Sequence, residues 1–137
     1  MPSTASWVEG LTVPVERTTL RSVLDQASVE ASERPIIVEL RSEGAEITIV
    51  VGDPTGTTLV YSPADCAETG VGSLLSVADC EAASADQSEP PLVADYFTHW
   101  TEFPRWSVVP HSLGEQALAE FLDTPREPPR SIVWEPD

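Results

Sequence analysis

Four side chains with metal-binding or nucleophilic chemistry, Cys66, Cys80, His99 and His111, follow one another at intervals of 14, 19 and 12 residues. Zinc sites draw ligands from tight pairs such as C-x2-C or H-x3-H, and none of these intervals makes one. A thiolate–imidazole nucleophile would need the same four residues and gains nothing from their spacing. Idle thiols and ordinary imidazoles are the default, and the residues give no reason to assign a metal or a cofactor. The 23 acidic residues are too many to nominate the fixed carboxyl pair that glycoside hydrolysis requires. Glu102 is the best single acid, because Trp100 and Phe103 beside it could desolvate a carboxyl and raise its pKa. The competing expectation for Glu102 is a hydrogen bond to a backbone amide or an arginine. Gly52-Asp53-Pro54-Thr55-Gly56 lacks the Lys-Ser/Thr of a phosphate-binding loop and reads as a turn.

Aromatic residues are the other candidate chemistry. Five of the chain's nine lie between Tyr96 and Trp106. That density belongs either to a core or to a binding surface anchored by amphipathic rings. Tyr96 and Phe97, at the end of a strand, are expected inside. Trp100 to Trp106, broken by Pro104 and carrying Glu102 and Arg105, is expected to be an exposed edge.

The elements that must position these residues follow from periodicity. Leu11, Val13 and Val15 alternate as a short strand that Pro14 confines to an edge. Leu20, Val23, Leu24, Ala27 and Ala31 mark one face of a helix that ends before Pro35. Ile36–Leu40 and Glu46–Val51 are rich in β-branched residues and read as a hairpin around 41–45, with Thr57–Tyr61 as a third strand. This meander has one face to cover, and the first helix is the obvious cover. Ser73–Val77 is a further strand, and 79–91 has the small, acidic, proline-ended composition of a long loop. After the strand Leu92–His99, Ser112-Leu113-Gly114-Glu115 reads as a capping box opening a helix through Leu122, with Ala117, Leu118, Phe121 and Leu122 inward. Ser131–Glu135 is a last strand. The fold class is α+β: one domain over 1–137, a single antiparallel sheet of about five to six strands, and two helices packed on it.

Charge narrows the function classes. The net charge is −16, there is no lysine, and eleven carboxylates but no arginine lie between Arg41 and Arg105. Such a field repels nucleic acid and anionic lipid. A basic protein is the natural partner, because opposite potentials speed association and help to set register. The N-terminus lacks the basic flank and apolar run of a signal peptide, and no segment reaches the roughly 20 apolar residues that a membrane span needs. The chain is expected in the cytoplasm with its thiols reduced.

The segment Tyr96-Phe97-x-His99-Trp100-Thr101-Glu102-Phe103-Pro104, then Val109-Pro110, Phe121-Leu122 and Ile132-Val133-Trp134-Glu135, resembles the family-one immunity proteins of bacterial polymorphic toxin systems. Arg34-Pro35, Val38-Glu39-Leu40, Ile47-x-Ile49-x-Val51-Gly52 and Leu59-Val60-Tyr61 look like that family's first half. The likeness runs from about Trp7 to Glu135. It implies a small α+β cytoplasmic protein, not an enzyme, that binds and inhibits a co-encoded toxin in a 1:1 heterodimer. It also implies a toxin that is a zinc-dependent DNA deaminase with a basic cleft. Two stretches depart from the pattern: Thr124-Pro125-Arg126-Glu127-Pro128-Pro129 stands where the family has a glycine turn, and 63–91 has no counterpart. On this reading Glu68, Asp79, Glu81, Asp86 and Glu89 face basic groups of the toxin, while Trp100, Glu102, Phe103 and Trp106 anchor it. The alternatives are a solvated acidic loop and a core role for the tryptophans. At the level of the whole chain they are an acidic interaction module or chaperone for another basic protein, or a carboxylate-dependent enzyme using Glu102 and His99.

Overall fold

The computed structural model describes residues 3–7, 11–31, 34–63, 73–77, 92–96 and 99–136, with only the backbone at 95, 96, 99, 100 and 136. Its centre is the hairpin of β3 (Ile36–Ser42) and β4 (Ala45–Val51), paired from Ile36↔Val51 to Ser42↔Ala45. The expected five-residue connection shrinks to Glu43-Gly44, both at positive φ (51° and 83°). Two left-handed residues give a turn whose twist matches that of the strands, so Arg41, Ser42 and Ala45 join the ladder.

On one side of this hairpin stand β1 (Ser3–Ser6) and β2 (Val13–Val15). On the other side follow β5 (Leu59–Ser62), β6 (Leu74–Val77) and β9 (Val133–Pro136). The path is β2-β1-β3-β4-β5-β6-β9, antiparallel at every step. β7 (Leu92–Tyr96) and β8 (His99–Phe103) form a separate hairpin that joins β3 by a parallel bridge, Ile36↔Asp95. Among the described residues nine strands form, more than the five to six expected. β1 went unread because Ser3-Thr4-Ala5-Ser6 has no apolar alternation. The single strand expected over Leu92–His99 is instead two, β7 and β8, because the chain reverses between Tyr96 and His99.

Both helices pack on one face of the sheet. α1 (Leu20–Glu30) buries Leu20, Val23, Leu24 and Ala27, the stripe expected for it. α2 (His111–Asp123) buries Gly114, Ala117, Leu118 and Phe121. A Cβ at Gly114 would stand 2.6 Å from Thr57 Cγ2 and 3.2 Å from Ile49 Cδ1, so glycine sets how closely α2 approaches the sheet. The capping box does not form. Pro110 occupies the cap position with no side-chain cap bond, and the Glu115 carboxylate accepts bonds from Arg21 Nη1 at 2.8 and 2.9 Å. A guanidinium on α1 is a stronger donor than the neutral amide a capping box would offer. Under the helices lies the main core, where Tyr61 meets Phe121 edge-on at 6.3 Å and Trp134 at 6.2 Å.

The sheet's second face is covered as well. Ile37, Val50 and Leu75 pack beneath Leu92, Ala94 and Phe103 of the β7–β8 hairpin, with Val60, Trp106 and Val108 around them. The expectation of one face to cover fails because Ile36-Ile37-Val38 and Ile49-Val50-Val51 are continuous apolar runs, which put residues of both parities out of water. The connection 124–130 is tied at both ends: Tyr61 Oη donates to the Pro125 carbonyl at 2.9 Å, and Trp134 Nε1 to the Pro129 carbonyl at 2.9 Å.

Candidate functional site

The aromatic stretch becomes the β7–β8 hairpin and a 3-10 turn at Arg105–Ser107. Strand alternation separates its residues. Phe103, paired with Leu92, points into the second core at 8% exposure, whereas Glu102, paired with Val93, is exposed. Thr101 is half-buried, and Trp106 lies half-buried against the same core. Phe103 therefore departs from the exposed edge expected of 100–106, because its parity turns it toward Ile37 and Val50. The Glu102 side chain is exposed rather than enclosed. Tyr96, His99 and Trp100 are placed by strand register alone.

Below the hairpin, a polar network fixes the exit of the stretch. The Asp53 carboxylate is buried and accepts bonds from the Thr55 amide at 2.8 Å and the Thr55 hydroxyl at 2.7 Å, an Asx turn that holds 53–55 rigid. Arg105 Nη1 donates to Thr55 Oγ1 at 2.7 Å, and His111 Nε2 lies 2.6 Å from the Asp53 carbonyl. Thr57 and Val109 exchange main-chain bonds at 2.9 and 2.8 Å. Deeper, Ser107 Oγ is 3.0 Å from Thr58 Oγ1, and Ser76 Oγ donates to the Ser107 carbonyl at 2.7 Å. The turn read as a mere connection is thus the platform on which Arg105–His111 rests.

A charged cluster lies on the second face of the β3–β4 hairpin, and no spacing argument singled it out. Glu39 is 2% exposed; Arg41 Nε donates to its Oε1 at 2.7 Å. Glu46 stands opposite Arg41 in the ladder, with Nε–Oε2 at 3.8 Å. Burial pushes the Glu46 carboxyl up to about 7, a hydrogen bond with Glu39 and its charge push the same way, and Arg41 opposes them. The arrangement can hold and release a proton near neutrality. The available signal was the apolar run around Glu39, which implies burial on both faces and hence a buried acid.

Elsewhere arginines are consumed by internal pairs. Arg21 on α1 meets Glu115 on α2 at 2.8 Å, Arg17 ahead of α1 meets Asp123 at the end of α2 at 2.6 Å, and Arg130 meets Glu127 at 3.9 Å. Glu68, Asp79, Glu81, Asp86 and Glu89, with Cys66 and Cys80, lie outside the described residues. Among the described residues no group of three His, Cys, Asp or Glu side chains is placed to hold a metal, and no helix is long and apolar enough to cross a membrane.

Comparison with known proteins gives one family. The model described as immunity protein Imm1 matches residues 15–136, a span that holds both helices, the central hairpin and the whole aromatic stretch. No curated protein matches the chain.

Proposed function

The chain belongs to the Imm1 family of immunity proteins, and we propose that it neutralises a cognate toxin that is a zinc-dependent nucleic-acid deaminase, by occluding the toxin's basic substrate cleft or active site. Family membership supplies the toxin partner and an inhibitory rather than catalytic role. The observation that carries the finer reading is the charge. A chain of net charge −16 spends arginines on its own carboxylates, at Asp123, Glu115, Glu39 and Glu127, and so presents a strongly negative exterior. An enzyme that handles DNA needs a positive channel, and an acidic inhibitor is its complement. The complex is a 1:1 heterodimer formed in the cytoplasm. Glu68, Asp79, Glu81, Asp86 and Glu89 steer the encounter, while Trp100, Glu102 and Trp106 hold it, since a few central anchors carry most binding energy. Phe103 contributes from beneath, by supporting the hairpin that presents them.

Co-expression with the C-terminal toxin domain encoded by the neighbouring gene tests the proposal, with survival and co-purification as readouts. Rescue with a stable complex is expected; no rescue and no complex would sink it. Accumulation of deaminated bases in DNA when the immunity protein is withheld is expected, and a toxin with other chemistry would remove the deaminase. The double variant Glu81→Lys/Asp86→Lys should slow association about tenfold at low salt and flatten its salt dependence. Unchanged kinetics would take those acids out of the interface.

A further inference from the structure

Among the described residues β2, β9 and β8 each pair with one strand alone and so keep one side open. Proteins guard such edges, because a row of unpaired main-chain N–H and C=O groups templates pairing with another chain. β2 is three residues long with Pro14 at its centre, and β9 is four residues ending in Pro136. Proline removes a donor and blunts both edges. β8 runs five residues, His99–Phe103, without one.

Register decides which groups β8 offers. Tyr96 pairs with His99 across two intervening residues, and in a two-residue hairpin such a closing pair exchanges both main-chain bonds. Alternation then turns the main-chain groups of His99, Thr101 and Phe103 toward β7, and those of Trp100 and Glu102 away from it. β7 is occupied on its other side by the bridge Ile36↔Asp95 to β3, so β8 is the strand of this hairpin that pairs on one side alone among the described residues. The Glu102 side chain beside this open edge is exposed.

We propose that the β8 edge receives an extended, basic segment of the cognate toxin domain, which adds a strand beside β8 and bonds to the main-chain groups of Trp100 and Glu102. The inference rests on the toxin-binding reading above. A toxin segment is the occupant rather than a second copy of this chain, because two partners of charge −16 repel one another, while lysines or arginines flanking an added strand meet Glu102. Main-chain bonds supply affinity in this mode, and side-chain spacing supplies selectivity.

Amide hydrogen exchange on the full chain, free and with the neighbour-encoded toxin domain, tests this. In the free protein the Trp100 and Glu102 amides should exchange fast while those of Thr101 and Phe103 are slow; in the complex the first two should slow at least tenfold. Trp100 and Glu102 amides already slow in the free chain would mean that the edge is covered, and would overturn the proposal. A complex that forms and leaves them fast would overturn it too while sparing the toxin-binding reading, whereas absence of any complex would overturn both. Protection that grows with concentration of this chain alone would assign the edge to a second copy instead. Glu102→Pro removes an outward donor and should weaken toxin binding at least tenfold more than Glu102→Gln, which keeps that donor and loses only the charge. Equal binding by Glu102→Pro and the parent would also overturn the proposal, and should Glu102→Pro fail to fold, the exchange experiment decides alone.

Discussion

The two faces of the central hairpin are built differently. The helix-covered face is apolar from Val38 and Leu40 through Ile47, Ile49 and Leu59 to Phe121 and forms one large core. The opposite face is covered by two short strands over a smaller cluster, and it shares its surface with the charged group Glu39, Arg41 and Glu46. The first arrangement suits a scaffold, since transfer from water alone dictates it. The second includes a buried acid and an open strand edge, features that cost stability and that a scaffold would not require.

Truncation on each face gives the widest contrast. Phe121→Ala, at the centre of the large core, should cost about 3–5 kcal/mol. Phe103→Ala should cost less, about 2–3 kcal/mol, because a thinner layer collapses and hydrates more easily. Chemical denaturation measures both, and toxin titration below the unfolding transition adds the sharper distinction: among folded molecules Phe121→Ala should bind as the parent does, and Phe103→Ala should bind worse. Equal losses of stability and of binding in the two variants would erase the distinction between the faces.

The charged cluster gives the next effect. The Glu46 carboxyl is raised from 4.5 to about 7 in the folded protein, so the folded chain holds a proton more tightly than the unfolded chain does. Its stabilising contribution is complete below pH 4.5 and is lost as pH rises through 7. Glu46→Gln, which keeps the side chain's shape without the charge, should therefore gain on the parent by about 1–2 kcal/mol between acid and mildly alkaline pH, after allowance for solvent screening. Unfolding midpoints at pH 4.5 and pH 8 measure the difference; parallel curves would show that Glu46 ionises at no cost. The smallest effect belongs to the helix layer. Arg21→Ala breaks an exposed pair with Glu115 and should cost about 0.5 kcal/mol, falling as salt is added.

Legibility in the sequence followed the same division. The buried stripe of α1 and the Phe121 side of α2 were readable because a helix over a sheet repeats its apolar residues with a fixed period. The aromatic stretch stood out as a candidate site, yet its division into inward Phe103 and outward Glu102 depended on register with β7, which no local pattern carries. β1 is a strand because β3 offers an edge to Ala5 and Ser6, not because its own residues favour one. Ser112 and Glu115 were read as a capping box, but the helix starts behind Pro110 and Arg21 takes the Glu115 carboxylate, while His111, weighed as a ligand, meets the Asp53 carbonyl. The burial of Glu39 was latent in its apolar neighbours, but its pairing with Arg41 and Glu46 appears only when the two strands are laid side by side.

The connection 124–130 holds the carbonyls of Pro125 and Pro129 against Tyr61 and Trp134. Prolines at 125, 128 and 129 also act where no contact exists, by narrowing the conformations open to the disordered chain, each by about 0.4–1 kcal/mol where its geometry suits the fold. A glycine turn in the same place would widen that ensemble and make the return of β9 to β6 entropically dearer. Some of the firmness of the sheet's far edge thus resides in states that the folded molecule never visits.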